Sequence, residues 1–108
     1  MTLKRLEATI KERREGDPAS SYVASLRKKG RAKMAEKLGE EAVEAVIAAV
    51  QDDKAGMIGE SADVLFHLMT LLADMDISFD DVLAELERRE NMSGLTEKAN
   101  RQNENGKK

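Results

Sequence analysis

The sequence predicts an all-α protein, a small helical bundle built on two long antiparallel helices. Three observations support this. Apolar residues recur at helical spacing from Leu3 onward. Aromatic residues are only 3% of the chain (Tyr22, Phe66 and Phe79), too few, with too little turn punctuation, for a sandwich or barrel. Ala, Leu, Glu and Lys are prominent and Pro18 is the single proline, a composition typical of helical domains.

The elements follow in order. Leu3, Leu6 and Ile10 share one face of a first amphipathic helix that ends near Gly16. Asp17-Pro18 breaks it, and Ser20 or Ser21 caps a short second helix carrying Tyr22, Val23 and Leu26, closed by Gly30. A long helix spans residues 32–50, with Leu38, Ala42, Val46 and Val50 among its apolar positions. Asp52-Asp53-Lys54 is the next break, and a second long helix runs over about 55–75. Gly59 inside it costs about 1 kcal/mol relative to Ala. Ser78, with Asp81 three residues later, resembles a capping box that opens a last helix through Glu90. Residues 1–101 form a single domain and 102–108 a polar tail. The apolar surface of Val43, Ile47, Val50, Leu65, Leu72 and Phe79 exceeds what one small core covers, so at least a homodimer is expected.

Composition excludes several functions. A net charge of -3 opposes nucleic-acid binding. The absence of cysteine removes disulfides, thiolate nucleophiles and thiolate metal sites together. His67 is the only histidine, so no site within one chain can use two imidazoles. The longest uncharged apolar run, residues 64–73, is about half the roughly 20 residues of a spanning helix. Glu7 and Glu12 follow Lys4 and Arg5 too closely for a signal-peptide core. A cytoplasmic protein without membrane contact is the expectation. Met34, Met57 and Met69 read as packing residues.

Carboxylates in unusual places carry the chemistry. Glu41 and Glu44 lie three residues apart on the first long helix, after Glu40, and Glu60 and Asp63 repeat the spacing on the second. Residues at i and i+3 project from nearly the same side of a helix. Glu60, Asp63 and His67 fall within about 60° of arc, and the apolar Leu71 and Val64 lie within about 40° of its edge. Lys37, Glu41, Glu44, Ala45 and Ala48 share one side of the other helix, with Lys33 near its edge. These acids therefore point along the packing stripe, where four converging carboxylates repel unless a cation sits among them. An all-oxygen donor set selects Mg²⁺ or Mn²⁺ over Zn²⁺. Without Glu-x-x-His pairs, a di-iron bundle is disfavoured. His67 reads as a hydrogen-bonded core residue, or one that orients Asp63.

Glu40-Glu41-x-x-Glu44 with Glu60-x-x-Asp63 resembles the Mg²⁺-binding signature of the MazG-like all-α nucleoside triphosphate pyrophosphatases. The flanking blocks narrow the resemblance to the phosphoribosyl-ATP pyrophosphohydrolase family of histidine biosynthesis. They are Ser21-Tyr22, Leu26, Gly30 and Lys33, then Lys37-Leu38-Gly39, Ala62, Leu65, His67-Leu68, and finally Ser93-Gly94-Leu95-x-Glu97-Lys98-x-x-Arg101. Departures are Val23 where Thr is frequent, Phe66 where Tyr is common, and Asn91-Met92 in place of a Gly-containing dipeptide. None touches a carboxylate.

The resemblance implies a MazG-like bundle that hydrolyses the α–β phosphoanhydride of phosphoribosyl-ATP, giving phosphoribosyl-AMP and pyrophosphate. It implies Mg²⁺ on Glu41, Glu44, Glu60 and Asp63, and a general base at Glu40 or Glu41. It further implies substrate contacts from Tyr22, Lys33 and Lys37, completed by Lys98 and Arg101, and a dimer as building unit. The alternatives are a pyrophosphatase for another nucleoside triphosphate and a non-enzymatic helical dimerisation module.

Overall fold

The computed structural model describes residues 1–91, 98, 99, 101 and 102. Five helices follow one another: α1 (Leu3–Arg13), α2 (Tyr22–Lys29), α3 (Arg31–Val50), α4 (Lys54–Asp74) and α5 (Phe79–Glu90). Among the described residues there is no strand. The two long helices form a hairpin, against which α1 and α2 pack, while α5 leans on α1.

Local chemistry fixes the ends. Thr2 caps α1, Ser21 caps α2 and Asp53 caps α4, each side-chain oxygen accepting from a backbone N–H of the first turn. Ser78 caps α5 through the Asp80 N–H. Instead of the reciprocal bond from Asp81 that a capping box implies, Glu7 reaches across from α1 and accepts from the Phe79 N–H at 2.6 Å. The C-terminal ends of α3 and α4 close in the same way. Asp52 and Asp76 take left-handed φ of 54° and 55°, and the next N–H returns to Ala48 (2.9 Å) and Leu72 (2.9 Å) respectively. Aspartate fills the position usually held by glycine, which its short polar side chain tolerates.

The core lies where α1, α2, the second half of α4 and the start of α5 meet. Ile10, Val23, Met69, Ala73 and Phe79 are buried there, flanked by Leu3, Leu6, Phe66, Leu72 and Val82. Leu72 and Phe79, expected as surplus apolar surface, belong to this core, Phe79 buried in it and Leu72 packed against it. Met34 and Met69 are buried as packing residues, whereas Met57 is 37% exposed. The turn end of the hairpin is different. Val43, Val46, Ile47, Val50 and Ile58 are exposed there, Val50 at 82%.

By length and composition alone, α4 is apolar enough to cross a membrane. That stretch includes Glu60 and Asp63, whereas the uncharged run is residues 64–73 alone. Its acids and its packing against α3 and α1 belong to a bundle, so the hydropathy adds little.

Ile10 and Met69 are each 1% exposed. Ile10→Ala or Met69→Ala is expected to lower unfolding free energy by about 2–5 kcal/mol, read by urea denaturation at constant m-value.

Candidate metal and active site

The hairpin turn sets the register of the acids. Glu44 and Glu60 each stand eight residues from Asp52, and Glu41 and Asp63 each stand eleven. At about 1.5 Å per residue the two pairs lie roughly 12 and 16 Å from the turn, each pair at one height. Oxygens of Glu41, Glu60 and Asp63 come within 4.8 Å of one another. Glu41 and Glu60 are half-buried and Asp63 is exposed. Glu44 is exposed and stands outside this tight triad, but its carboxylate acts on Glu60.

Glu60 is the centre of the group. Its Oε2 is shut away from solvent with no hydrogen-bond donor among the described residues. A hydrogen bond to Glu41 is open to it only while the pair shares a proton. That bond first, then burial, then the charge of Glu44, push the Glu60 carboxyl up to about 7. An acid that holds its proton this hard marks a place where positive charge is missing. A hard divalent cation among these oxygens would replace the proton, so the donor set fits Mg²⁺ or Mn²⁺.

Glu40 and Glu41 are adjacent in sequence but differ in surroundings. Glu40 Oε2 lies 3.2 Å from Lys37 Nζ; this bond and its charge hold the Glu40 carboxyl below, and the Lys37 ammonium above, their ordinary values. Lys33 pairs with Glu36 at 3.4 Å. Both lysines thus engage acids one turn away, in solvent-exposed pairs that a polyanion can displace. Lys98 and Arg101 are exposed in helical backbone beyond α5. The expected block Ser93-Gly94-Leu95 and Glu97 lies outside the described residues.

An aromatic cluster borders the acids. His67 is buried, and its Nδ1–H donates to the Asp63 carbonyl oxygen at 2.8 Å. Nε2 is then an acceptor, facing the Tyr22 hydroxyl at 3.3 Å. His67 is therefore the satisfied core histidine expected, and it holds the backbone of Asp63, not its carboxylate. Phe66 meets His67 edge-on at 5.2 Å and stacks with Tyr22 at 6.0 Å. Tyr22, half exposed, also adjoins Lys37. Phe66 was missed as a site residue, although its place three residues after Asp63 puts it on the same face of α4.

Comparison with known proteins gives the family. Residues 3–90 match the family described as phosphoribosyl-ATP pyrophosphohydrolase. The phosphoribosyl-ATP pyrophosphatase of Rhizorhabdus wittichii is 62% identical over 100 residues, covering 93% of this chain and 94% of the relative. That of Novosphingobium aromaticivorans is 59% identical over 101 residues, covering 94% of each. That of Erythrobacter litoralis is 60% identical over 100 residues, covering 93% of this chain and 96% of the relative. With the family matched over most of its length, and the acids of its two long helices converging as described, the chain belongs to the phosphoribosyl-ATP pyrophosphohydrolases, a family of hydrolases.

Proposed function

We propose that this chain catalyses Mg²⁺-dependent hydrolysis of phosphoribosyl-ATP to phosphoribosyl-AMP and pyrophosphate, a step of histidine biosynthesis. The supporting observation is the sequestered, donorless Glu60 Oε2 beside Glu41 and Asp63, in a chain whose relatives are named for this reaction. Glu41, Glu44, Glu60 and Asp63 hold the ion. When bound, Mg²⁺ neutralises the triphosphate and the departing pyrophosphate.

The chain's own residues account for the rest. Glu40 or Glu41, whichever carboxylate the ion leaves free, accepts the proton of the attacking water; Lys37 lowers the proton affinity of Glu40. Lys33 and Lys37 can leave their carboxylate partners for phosphate oxygens, and Lys98 and Arg101 approach from the C-terminal segment. Tyr22 forms a wall of the site. A phosphohistidine relay is disfavoured, since both ring nitrogens of the buried His67 are engaged. Direct attack by water is the simpler chemistry.

The apolar turn end of the hairpin supports a homodimer. Val43, Val46, Val50 and Ile58 line faces of α3 and α4 that nothing among the described residues covers. A second copy packing helix on helix would bury them.

Three outcomes test this reading. Glu44→Gln and Asp63→Asn each abolish pyrophosphate release from phosphoribosyl-ATP at saturating Mg²⁺ while circular dichroism stays helical; near-normal kcat in either would remove the four-carboxylate site. In EDTA, Glu60 favours the fold while protonated. That contribution is complete below about 4.5 and is lost as pH rises through about 7. The Tm advantage of Glu60→Gln over the parent protein should therefore grow across this window. Sedimentation at micromolar protein should give at least a dimer, and a concentration-independent 12.0 kDa species would refute it.

A further inference from the structure

Beyond the aromatic cluster, on the side away from the turn, an open groove of about 400 Å³ runs between the end of α1 and the start of α2. Arg13, Ser20, Ser21, Tyr22, Val23 and Phe66 line it. Its size is that of small-molecule sites, roughly 300–1,000 Å³. Three features make it more than a surface dent.

The first is an uncommitted guanidinium. Arg14 donates to the Ala73 carbonyl, Arg27 pairs with Glu15 at 2.8 Å, and Arg31 pairs with Asp74 at 2.9 Å. Arg13 makes no side-chain hydrogen bond or ion pair among the described residues, and it stands at the groove. The second is anchorage. The Ser21 hydroxyl donates to the Arg13 carbonyl at 2.9 Å, tying the last residue of α1 to the cap of α2. Arg13 is thus carried on backbone that is held, not on a loose end. The third is continuity. Phe66 and Tyr22 belong both to this groove and to the border of the acids: Phe66 follows Asp63 by one helical turn, and Tyr22 adjoins Lys37 and His67. From the carboxylates to Arg13 the surface therefore runs acid cluster, aromatic pair, cation.

A nucleoside triphosphate has one phosphate-bearing arm. Phosphoribosyl-ATP has two, because its purine carries a second ribose with its own phosphate. The order of groups along the surface matches the order along that molecule: triphosphate, flat ring, distant monophosphate. We propose that the groove takes the second, phosphoribosyl arm, with the purine against Tyr22 and Phe66 and the arm's phosphate on Arg13. Guanidinium and phosphate make a charge-assisted, bidentate pair. Arg13 is on this assignment a specificity residue that separates the two-armed nucleotide from ATP and AMP. The inference rests on the function proposed above and adds the subsite that selects the substrate.

The test uses the full chain with Arg13→Ala and Arg13→Lys. Because the Arg13 side chain holds no partner among the described residues, both variants should melt with the parent, which calorimetry checks. Pyrophosphate release from phosphoribosyl-ATP is measured with Mg²⁺, and phosphoribosyl-AMP and AMP are compared as competitive inhibitors. For Arg13→Ala, KM for phosphoribosyl-ATP should rise at least about tenfold with the loss in KM rather than kcat, as expected for a binding contact remote from the reacting bond. The preference for phosphoribosyl-AMP over AMP should fall by a similar factor, and Arg13→Lys should recover part of both. An unchanged KM and unchanged inhibitor preference in Arg13→Ala would overturn the subsite and leave the hydrolysis standing. If the parent protein does not hydrolyse phosphoribosyl-ATP at all, the functional reading falls and the subsite with it.

Discussion

Glu41 and Glu60 place two carboxyl groups in the half-buried seam between α3 and α4, within reach of Glu44 and Asp63. Like charges so close cannot all ionise without help, and among the described residues no arginine or lysine bonds the Glu60 oxygen that faces inward. The nearby lysines bond to acids on their own helix instead. The bundle therefore tolerates a local electrostatic strain that apolar residues would not impose. Such a cluster is relieved by a proton shared between carboxyls or by a cation among them.

Holding that cluster steady requires a stiff frame, and most of the frame is made at helix ends. Arg14 and Arg31 both bond to the last carbonyls of α4, a favourable place for cations on a helix. Glu7 does the converse at the first turn of α5. These contacts tie the core end of the molecule together, where Ile10, Met69 and Ala73 are buried. The other end carries exposed apolar residues and relies on its own hydrogen bonds or on a second copy. The acids lie between the two, on the stretch of hairpin where one side is fixed.

The helices themselves were legible because each has an apolar period and a polar stop. Ser21, Ser78 and the Asp52-Asp53 break all announced themselves by residue type. So did the two acid pairs, since i, i+3 spacing on two neighbouring helices has few meanings. What could not be seen was choice among near-equivalents. Glu40 and Glu41 look alike in the sequence: Lys37 pairs with Glu40 one turn away on α3, a local spacing, but the approach of Glu60 to Glu41 from α4 is tertiary. The left-handed caps at Asp52 and Asp76 were hidden because aspartate, unlike glycine, does not advertise a positive φ. The bond from Glu7 to Phe79 spans 72 residues, and no local pattern encodes it. Likewise the partnership of Tyr22 with His67 depends on how α2 lies across α4.

The turn between α3 and α4 has a consequence for how such a chain can vary. Surface connections ordinarily accept added or lost residues at little cost. Here Gln51, Asp52 and Asp53 act as a fixed gear between two helices, because each cross-helix acid pair is level only when counted from Asp52. One inserted residue would turn α4 by about 100° against α3 if the pairing were kept at the same height. Glu60 and Asp63 would then swing away from Glu41 while the hairpin still buried apolar surface. Length in this turn therefore holds the acid cluster together as surely as the acids themselves do.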